Sequence, residues 1–444
     1  MLKSLVLRLL AALAFAWSAA ALAQPIVYLD KCAAGNFMGL ELAIDYCERA
    51  IKSRGLSHRD TGTAYFYRAR WYLQQGRLEP ALADLNEVTR LDALGDTRSD
   101  LRASNHVSRG FVHIRMGNMD AAFADFDEAI RLNPDVASSY RGRGQVWLAR
   151  RDADRALADF GQALKAAVGD KTLSTAGAGT TYGRRPRYFD RTDNDSAAHA
   201  GRGHAYLLKN DLNAAMTEFN EALRVHPASA VALAGRAGLH ERRGDFDRAI
   251  EDWGAAAGAA PNDWGVYMGR GRAWAAKGEF AKAGLDFDAA VKLQPAAWAA
   301  RVAQGSISVG NGSYAQADEH FSKVSEANPS SAYALLWKHV AQARAAGADQ
   351  AKRDTARASL RITEKSLYAQ LVEFHLGGGN EEELRKAPGN LVQSCQAHYF
   401  LAQHHFIAGN RPRGAQLLGA VAKQCPPLLK ETWAARLELG RLAQ

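Results

Sequence analysis

Four prolines recur at a fixed interval in the second half of the chain, where Pro227, Pro261, Pro295 and Pro329 are each 34 residues apart. Small residues, alanines and aromatic residues recur upstream of them with the same step. Four registers that share one period are hard to obtain by chance, and 34 residues is the length of one helix–turn–helix unit. The period therefore predicts stacked helical hairpins and favours a binding role over a catalytic one.

We number one repeat from 1 to 34, with the small residue of its first helix at position 8 and the proline at position 32. Seven repeats then begin at residues 62, 103, 137, 196, 230, 264 and 298. Position 8 is alanine or glycine, position 20 is always alanine, and position 24 is leucine, phenylalanine or tryptophan. Small residues let the two helices approach closely, the bulky residue fills the gap between neighbours, and proline ends the second helix. Each repeat leaves an apolar face uncovered, so neighbouring repeats must stack.

The pattern, which covers residues 62–331, resembles the tetratricopeptide repeat (TPR) family. The resemblance implies an all-α fold, a right-handed solenoid of helical hairpins with a concave groove, followed here by extra C-terminal helices. The predicted divisions are an N-terminal half-repeat cap, repeats 1–3, a loop insertion, repeats 4–7 and a C-terminal helical region with one degenerate repeat: residues 24–61, 62–170, 171–195, 196–331 and 332–444.

Position 7 is arginine and position 23 is aspartate or glutamate in each of the first six repeats, whereas the seventh has Gln304 and His320. This joint loss predicts that the two positions pair between the helices of one repeat. A row of arginines could also form an anion-binding stripe, but each arginine has its own candidate carboxylate. If exposed, such pairs would contribute about 0–1 kcal/mol each, and would mainly fix the register of the helices.

Residues 1–23 are typical of a secretory signal, because the positive charges of Lys3 and Arg8 precede the apolar core Leu9–Ala16, and Ala21-Leu22-Ala23 has the small-x-small pattern of a cleavage site. We therefore predict an exported protein that is soluble in the periplasm or secreted; a retained N-terminal anchor is the alternative. No later stretch approaches 18 apolar residues, so no membrane span is expected.

Four cysteines, Cys32, Cys47, Cys395 and Cys425, are an even number in a chain predicted to be exported, which favours disulfides. The simplest connectivity joins neighbours, because Cys395 and Cys425 open and close the hairpin of the degenerate repeat. The rival interpretation is a zinc site with His398, which the absence of a Cys-x2-Cys pair disfavours.

The C-terminal stretches Tyr333–Trp337, Cys395–Phe400 and Glu431–Leu442 resemble the end of exported bacterial TPR proteins related to the lipoprotein NlpI. Members of that group act as adaptors that dock proteases or cell-wall hydrolases. Cys32 follows Leu29-Asp30-Lys31, which is not a lipid-attachment signal, so the resemblance does not extend to outer-membrane tethering.

Motifs that carry chemistry are missing from the sequence, which contains no Gly-x4-Gly-Lys-Ser/Thr, no Gly-x-Ser-x-Gly and no His-Glu-x2-His. Gly-Arg-Gly triplets at 142–144, 201–203 and 269–271 fall at positions 6–8 of first helices, where small residues serve packing rather than nucleotide binding. We predict no enzymatic activity, no cofactor and no metal, and we interpret His404 and His405 as satisfied or exposed side chains.

Ligands of TPR proteins often lie along the face formed by first helices, at roughly positions 2, 5, 9 and 12, which we call the groove positions. Their mixture of apolar and basic residues suits a protein or peptide partner of acidic character. The alternative is that several of them pack against a C-terminal helix lying in the groove. The candidate groove residues are Phe66, Arg70, Phe111, Arg141, Gln145, His204 and Arg272.

The insertion 171–195 is a second candidate surface, because arginine and tyrosine are enriched at binding hot spots. Long loops are often either functional or disordered, and both interpretations stay open here. The candidate insertion residues are Tyr182, Arg184, Arg185, Arg187, Tyr188 and Phe189.

The chain carries a formal net charge of +9, but a nucleic acid partner is not expected for an exported protein. The leading hypothesis is a non-catalytic periplasmic scaffold or adaptor for proteins, with envelope proteases or cell-wall enzymes as candidate clients. The alternative is a binder of anionic cell-envelope polymer or lipid headgroups through the insertion. An enzyme that uses the insertion as a lid is the third hypothesis. The sequence specifies neither the partner nor the oligomeric state.

Overall fold

The computed structural model describes residues 25–35, 39–53, 55–93, 99–169, 191–386 and 389–444, and these residues form helices and short connections without a strand. The fold is therefore all-α, as the 34-residue period predicts. The chain divides into two compact units, Met1–Ala232 and Leu233–Gln444, which we call the N-terminal unit and the C-terminal unit.

The N-terminal unit contains the cap and repeats 1–4. Its helices are α1 (25–33), α2 (Leu40–Lys52), α3 (His58–Gln74), α4 (Leu78–Asp92), α5 (Ser99–Arg115), α6 (Met119–Leu132), α7 (Ala137–Ala149), α8 (Ala153–Gly169), α9 (Arg191–Leu208) and α10 (Leu212–Val225).

The C-terminal unit contains repeats 5–7 and the C-terminal region, residues 332–444. The boundary between the units falls within α11 (Ala230–Arg243). The following helices are α12 (Phe246–Ala259), α13 (Trp264–Lys277), α14 (Phe280–Leu293), α15 (Trp298–Asn311), α16 (Tyr314–Ala327), α17 (Ala332–Ala345), α18 (Ala348–Ser359), α19 (Leu367–Leu376), α20 (Glu381–Lys386), α21 (Leu391–Ile407), α22 (Arg411–Gln424) and α23 (Lys430–Leu442).

Position 15 of every repeat makes the turn between its two helices with a left-handed backbone. Five of the seven residues there are glycines with φ of 75–91°, since only glycine adopts this conformation without a steric penalty. Repeats 3 and 4 use Arg151 and Asn210 instead, with φ of 61° and 59°. The same turn therefore closes each hairpin whether or not glycine is present.

The aromatic residue at position 24 packs against glycines of its own repeat and of the next one. A Cβ atom added to Gly110 would lie 2.8 Å from the Phe126 ring, and one added to Gly269 would lie 2.5 Å from the Trp253 ring. The side chain thus occupies the space left by a missing Cβ at position 8 of one helix and position 6 of another. The Gly-Arg-Gly triplets therefore serve packing, which confirms their interpretation from the sequence.

Arginine at position 7 and the acid at position 23 form an ion pair within each of the first six repeats, which confirms the predicted pairing. The carboxylate residues are only 4–9 % exposed, so the low contribution of about 0–1 kcal/mol that applies to exposed pairs does not apply to them. The pairs, with nitrogen–oxygen distances of 2.6–2.9 Å, are Arg68–Asp84, Arg109–Asp125, Arg143–Asp159, Arg202–Glu218, Arg236–Asp252 and Arg270–Asp286.

Burial and hydrogen bonding oppose each other at these carboxylates. Burial raises the pKa of Asp84 above its usual value although Arg68 donates two hydrogen bonds to it. At Asp125 burial acts in the same direction, but hydrogen bonds from His106 and Arg109 outweigh it and leave the pKa lowered. The arginine is therefore the group that keeps a buried carboxylate satisfied in each hairpin.

The C-terminal region packs around Trp337, Tyr399 and Phe400, which are fully buried. Between α17 and α20 the chain forms two helices, α18 and α19, which are separated by residues 360–366. Ser366 caps the second of them, because its side chain accepts a hydrogen bond from the Ala369 amide.

Both ends of the chain carry a disulfide, Cys32–Cys47 in the cap and Cys395–Cys425 in the C-terminal region, and no described cysteine is free. The indole of Trp71 donates a hydrogen bond to the carbonyl of Cys32 at 2.9 Å, which ties the cap to repeat 1. The zinc interpretation does not hold, because both candidate thiols are bonded to each other.

Replacing Arg236 with alanine should leave Asp252, which is 8 % exposed, without its main partner. We expect Arg236→Ala to lower the free energy of unfolding by about 2 kcal/mol, measured by thermal and urea denaturation. The matched control is Arg248→Ala in the same hairpin, because the Arg248 side chain is 70 % exposed and should matter by less than about 0.5 kcal/mol. Equal stability of the two variants would contradict the structural role of the pair.

The native protein should show no reactive thiol, and four after reduction in denaturant. Replacing Cys395 and Cys425 together with serine should cost about 2–4 kcal/mol. The same change at Cys32 and Cys47 should cost about 0.6 kcal/mol less, because the loop it closes is half as long, 15 residues against 30. Free thiols in the unreduced protein would contradict both bridges.

Candidate functional site

The groove positions of repeats 1–4 combine arginines, one histidine and apolar residues without any acidic residue. In repeat 1, Phe66 is 9 % exposed, and the Arg70 guanidinium lies 5.9–6.0 Å from the ring centres of Phe66, Tyr67 and Trp71. Such distances are typical of cation–π contacts, which hold a positive charge beside an apolar surface.

Repeats 2 and 3 contribute a second arginine–aromatic contact. The Arg141 guanidinium lies 4.7 Å from the centre of the Phe111 ring, and this ring packs edge-on against Phe126 at 5.0 Å. Phe111, Arg141 and Gln145 are all half-buried, so part of each side chain remains open to solvent. The structure therefore brings Phe111 and Arg141 together, although they are 30 residues apart.

His204, at groove position 9 of repeat 4, lies edge-on to the position-24 aromatic residue Phe219, with ring centres 5.2 Å apart. Burial lowers the pKa of His204 below the ordinary histidine value. A lowered pKa favours the neutral imidazole at pH 7, so His204 adds hydrogen-bonding capacity rather than charge to this face.

Arg272 belongs to the C-terminal unit and has a carboxylate partner within the groove positions. Its Nη2 donates to Glu241 Oε2 at 2.8 Å, and the Trp253 indole donates to the other oxygen at 3.0 Å. Glu241 is 6 % exposed, and this burial raises its pKa despite the two donors. The charge of Arg272 is thus largely directed towards Glu241 rather than towards a ligand.

Helix α23 packs against the groove positions of repeats 6 and 7. Trp433 is fully buried, stacks on Phe287 with ring centres 6.0 Å apart, and belongs to the same apolar cluster as Met268 and Ala275. A Cβ atom added to Gly310 would lie 2.6 Å from Leu437, so the two backbones approach closely there. This is the arrangement that the sequence left open as an alternative, and it applies to the C-terminal unit.

Two glutamates of α23 are buried, and sequence reasoning missed both. Tyr333 donates to Glu431 at 2.9 Å, whereas Gln403 and Arg344 donate to Glu438 at 2.7 and 2.9 Å. The signal was present, since two acids seven residues apart lie on the side of an amphipathic helix that also carries alanines.

The insertion residues Tyr182, Arg184, Arg185, Arg187, Tyr188 and Phe189 lie outside the described residues. Within the described ranges, no group of three or more His, Cys, Asp or Glu side chains is arranged to hold a metal ion. Likewise, no described helix combines the length and the apolar character needed to cross a membrane.

The family model for the tetratricopeptide repeat matches residues 109–171, 200–263 and 235–300, so the chain contains tetratricopeptide repeats. Proteins with such repeats mediate protein–protein interactions. No curated protein matches the sequence.

Several solved structures of TPR proteins are similar to the chain at low identity. PilF of Pseudomonas aeruginosa is 16 % identical over 54 % of this chain and 96 % of its own, with a TM-score of 0.39. A tetratricopeptide repeat protein of Parabacteroides merdae is 15 % identical over 71 % and 99 %, with a TM-score of 0.34. YrrB, described as having an unusual peptide-binding site, is 18 % identical over 45 % and 89 %, with a TM-score of 0.29. These similarities add nothing about the partner of this chain.

Removing the Trp433 side chain should weaken the packing of α23 on the repeats, because the ring is fully buried between them. We expect Trp433→Ala to cost about 3–5 kcal/mol of unfolding free energy, measured by urea denaturation. Trp298→Ala is the control, since Trp298 is 58 % exposed and its loss should cost less than about 1 kcal/mol. A small loss in Trp433→Ala would mean that α23 does not depend on this anchor.

Proposed function

We propose that this protein is a non-catalytic scaffold of the bacterial envelope, which binds a protein partner through the groove positions of repeats 1–4. The single observation that carries the proposal is the positive charge of these groove positions. Among sixteen residues there are two arginines and no acid, so the face complements an acidic segment. A predicted secretory signal and two disulfides support an oxidising compartment outside the cytoplasm.

The contact geometry supports recognition of a segment with both acidic and apolar side chains. The aromatic neighbours of Arg70 and Arg141 hold each guanidinium against a ring, which limits the side-chain entropy lost on binding. An acidic side chain of the partner would meet these arginines, and an apolar one would lie over Phe111. Envelope proteases and cell-wall enzymes are candidate sources of such segments.

The groove positions of repeats 6 and 7 are assigned a different role in this proposal, because α23 packs on them. The candidate residue Arg272 is therefore proposed to stabilise the C-terminal unit through Glu241 rather than to contact a partner.

Reversing two charges tests the groove directly. The full chain, an Arg70→Glu/Arg141→Glu variant and an Arg90→Glu/Arg131→Glu control would each capture proteins from bacterial envelope extract at moderate salt. Arg90 and Arg131 are 62 % and 67 % exposed, lie on second helices, and pair with Glu87 and Glu128. The amount of stoichiometrically bound protein captured by the groove variant should be at least about tenfold lower than the amount captured by the wild type or the control. This loss is equivalent to about 1.4 kcal/mol of binding free energy.

Equal capture by all three proteins would contradict the groove as the contact. Retention of only anionic polymer or lipid, lost as the salt concentration rises, would instead favour binding through the basic insertion 171–195. Far-ultraviolet circular dichroism and melting curves of the variants confirm that a lost partner does not reflect unfolding.

A further inference from the structure

Three histidines of the C-terminal region lie in contact within its helical packing. The ring centres of His339 (α17) and His375 (α19) are 5.0 Å apart, and those of His375 and His404 (α21) are 5.1 Å apart. His339 and His375 are each 1 % exposed, and His404 is half-buried. We call these three residues the histidine cluster.

The hydrogen bonds of the cluster suit neutral rings. His375 Nε2 donates to the carbonyl of Phe400 at 3.1 Å, so its proton lies on Nε2. The other ring nitrogen, Nδ1, is buried and has no hydrogen-bond partner among the described residues. His339 Nδ1 bonds the Thr355 hydroxyl at 2.9 Å. A second proton on His375 would therefore be buried without an acceptor.

The charges around the cluster also oppose protonation. Burial lowers the pKa of His339 to about 4 and that of His375 well below the usual value, and the other histidines and Lys352 of α18 act in the same direction. Among the described residues, the acid that acts on the cluster is Glu381 of α20, through His404, and it already pairs with His405 and Arg413. By contrast, His113 and His240 in the repeats each lie within 3.9 Å of an aspartate.

We propose that the histidine cluster is a pH-sensitive switch, whose protonation in mild acid separates α19 from α17 and α21 and releases α23. The helices that carry the histidines also hold α23. Gln403, adjacent to His404, and Arg344 on the helix of His339 both donate to Glu438. Acid would thus uncover the groove positions of repeats 6 and 7. This regulation would act independently of partner binding at repeats 1–4.

The direction of the pH dependence follows from proton uptake. Because the pKa of His339 is about 4 in the closed form and 6.5 when the histidine is solvated, the open form binds more protons between these values. The closed form therefore has its full stability above about pH 6.5 and loses it progressively as the pH falls towards 4.

Hydrogen exchange of the full chain at pH 7.5 and pH 5.0, corrected for the intrinsic rate, tests the switch because exchange reports local opening. In the wild type, protection of Lys430–Leu442 should fall at least about tenfold at pH 5.0, the change expected for one pKa unit. Protection of Ala137–Ala149 in repeat 3 should fall less. In His339→Gln/His375→Gln, which removes the two fully buried histidines while the amide at position 375 can still donate to Phe400, the fall at Lys430–Leu442 should be less than about threefold.

His405→Gln is the matched control, because His405 neighbours the cluster but bonds Glu381 at 3.0 Å, and it should retain the wild-type fall. If the double variant does not fold at pH 7.5, His404→Gln alone serves, since His404 is half-buried, and it should reduce the fall. An equal fall in the wild type and the cluster variant, or full protection of Lys430–Leu442 at pH 5.0, would overturn the proposal.

Discussion

The insertion of one aromatic ring between glycines is the constraint on which the repeats depend. Phe126 contacts the positions where Gly110 and Gly142 lack side chains, and Phe160 does the same at Gly144 and Gly201. A ring that touches its own hairpin and the next one fixes both the packing within a repeat and the step between repeats. Because interiors are close-packed, even one methyl group at these glycines would have to displace the ring.

The buried ion pairs depend on the same geometry. When the ring sets the distance between the two helices of a hairpin, the arginine at position 7 reaches the acid at position 23 with two donors, as Arg68 does to Asp84. A buried pair contributes little net stability but is costly to break. The pairs therefore select one register of the two helices. In repeat 7, where Gln304 and His320 replace the pair, Gln304 donates instead to Asp288.

The sequence predicts the repeats well because every repeat makes the same local packing contacts and therefore needs the same residue types at the same positions. It predicts the candidate groove only as a set of positions, since which of them are covered depends on a helix more than 100 residues away in the chain. The burial of Glu431 and Glu438 and the contact among His339, His375 and His404 are formed by tertiary packing of the C-terminal region. The seven-residue spacing of the two glutamates places them on one side of α23, but no period relates the three histidines, so the sequence pattern carries no signal of the distances between their rings.

Small residues explain why a helix can lie on repeats 6 and 7. Position 13 is Ala276 in repeat 6 and Gly310 in repeat 7, where Arg436 reaches the Ala276 carbonyl at 3.3 Å and Leu437 lies over the glycine. Repeat 3 also has a small residue at this position, Ala149, but repeats 1, 2 and 4 have Gln74, Arg115 and Leu208, whose longer side chains would keep a helix backbone away from the row as a whole. A ligand of repeats 1–4 would therefore be recognised through side chains, which is the mode of binding that arginines held against aromatic rings suit best.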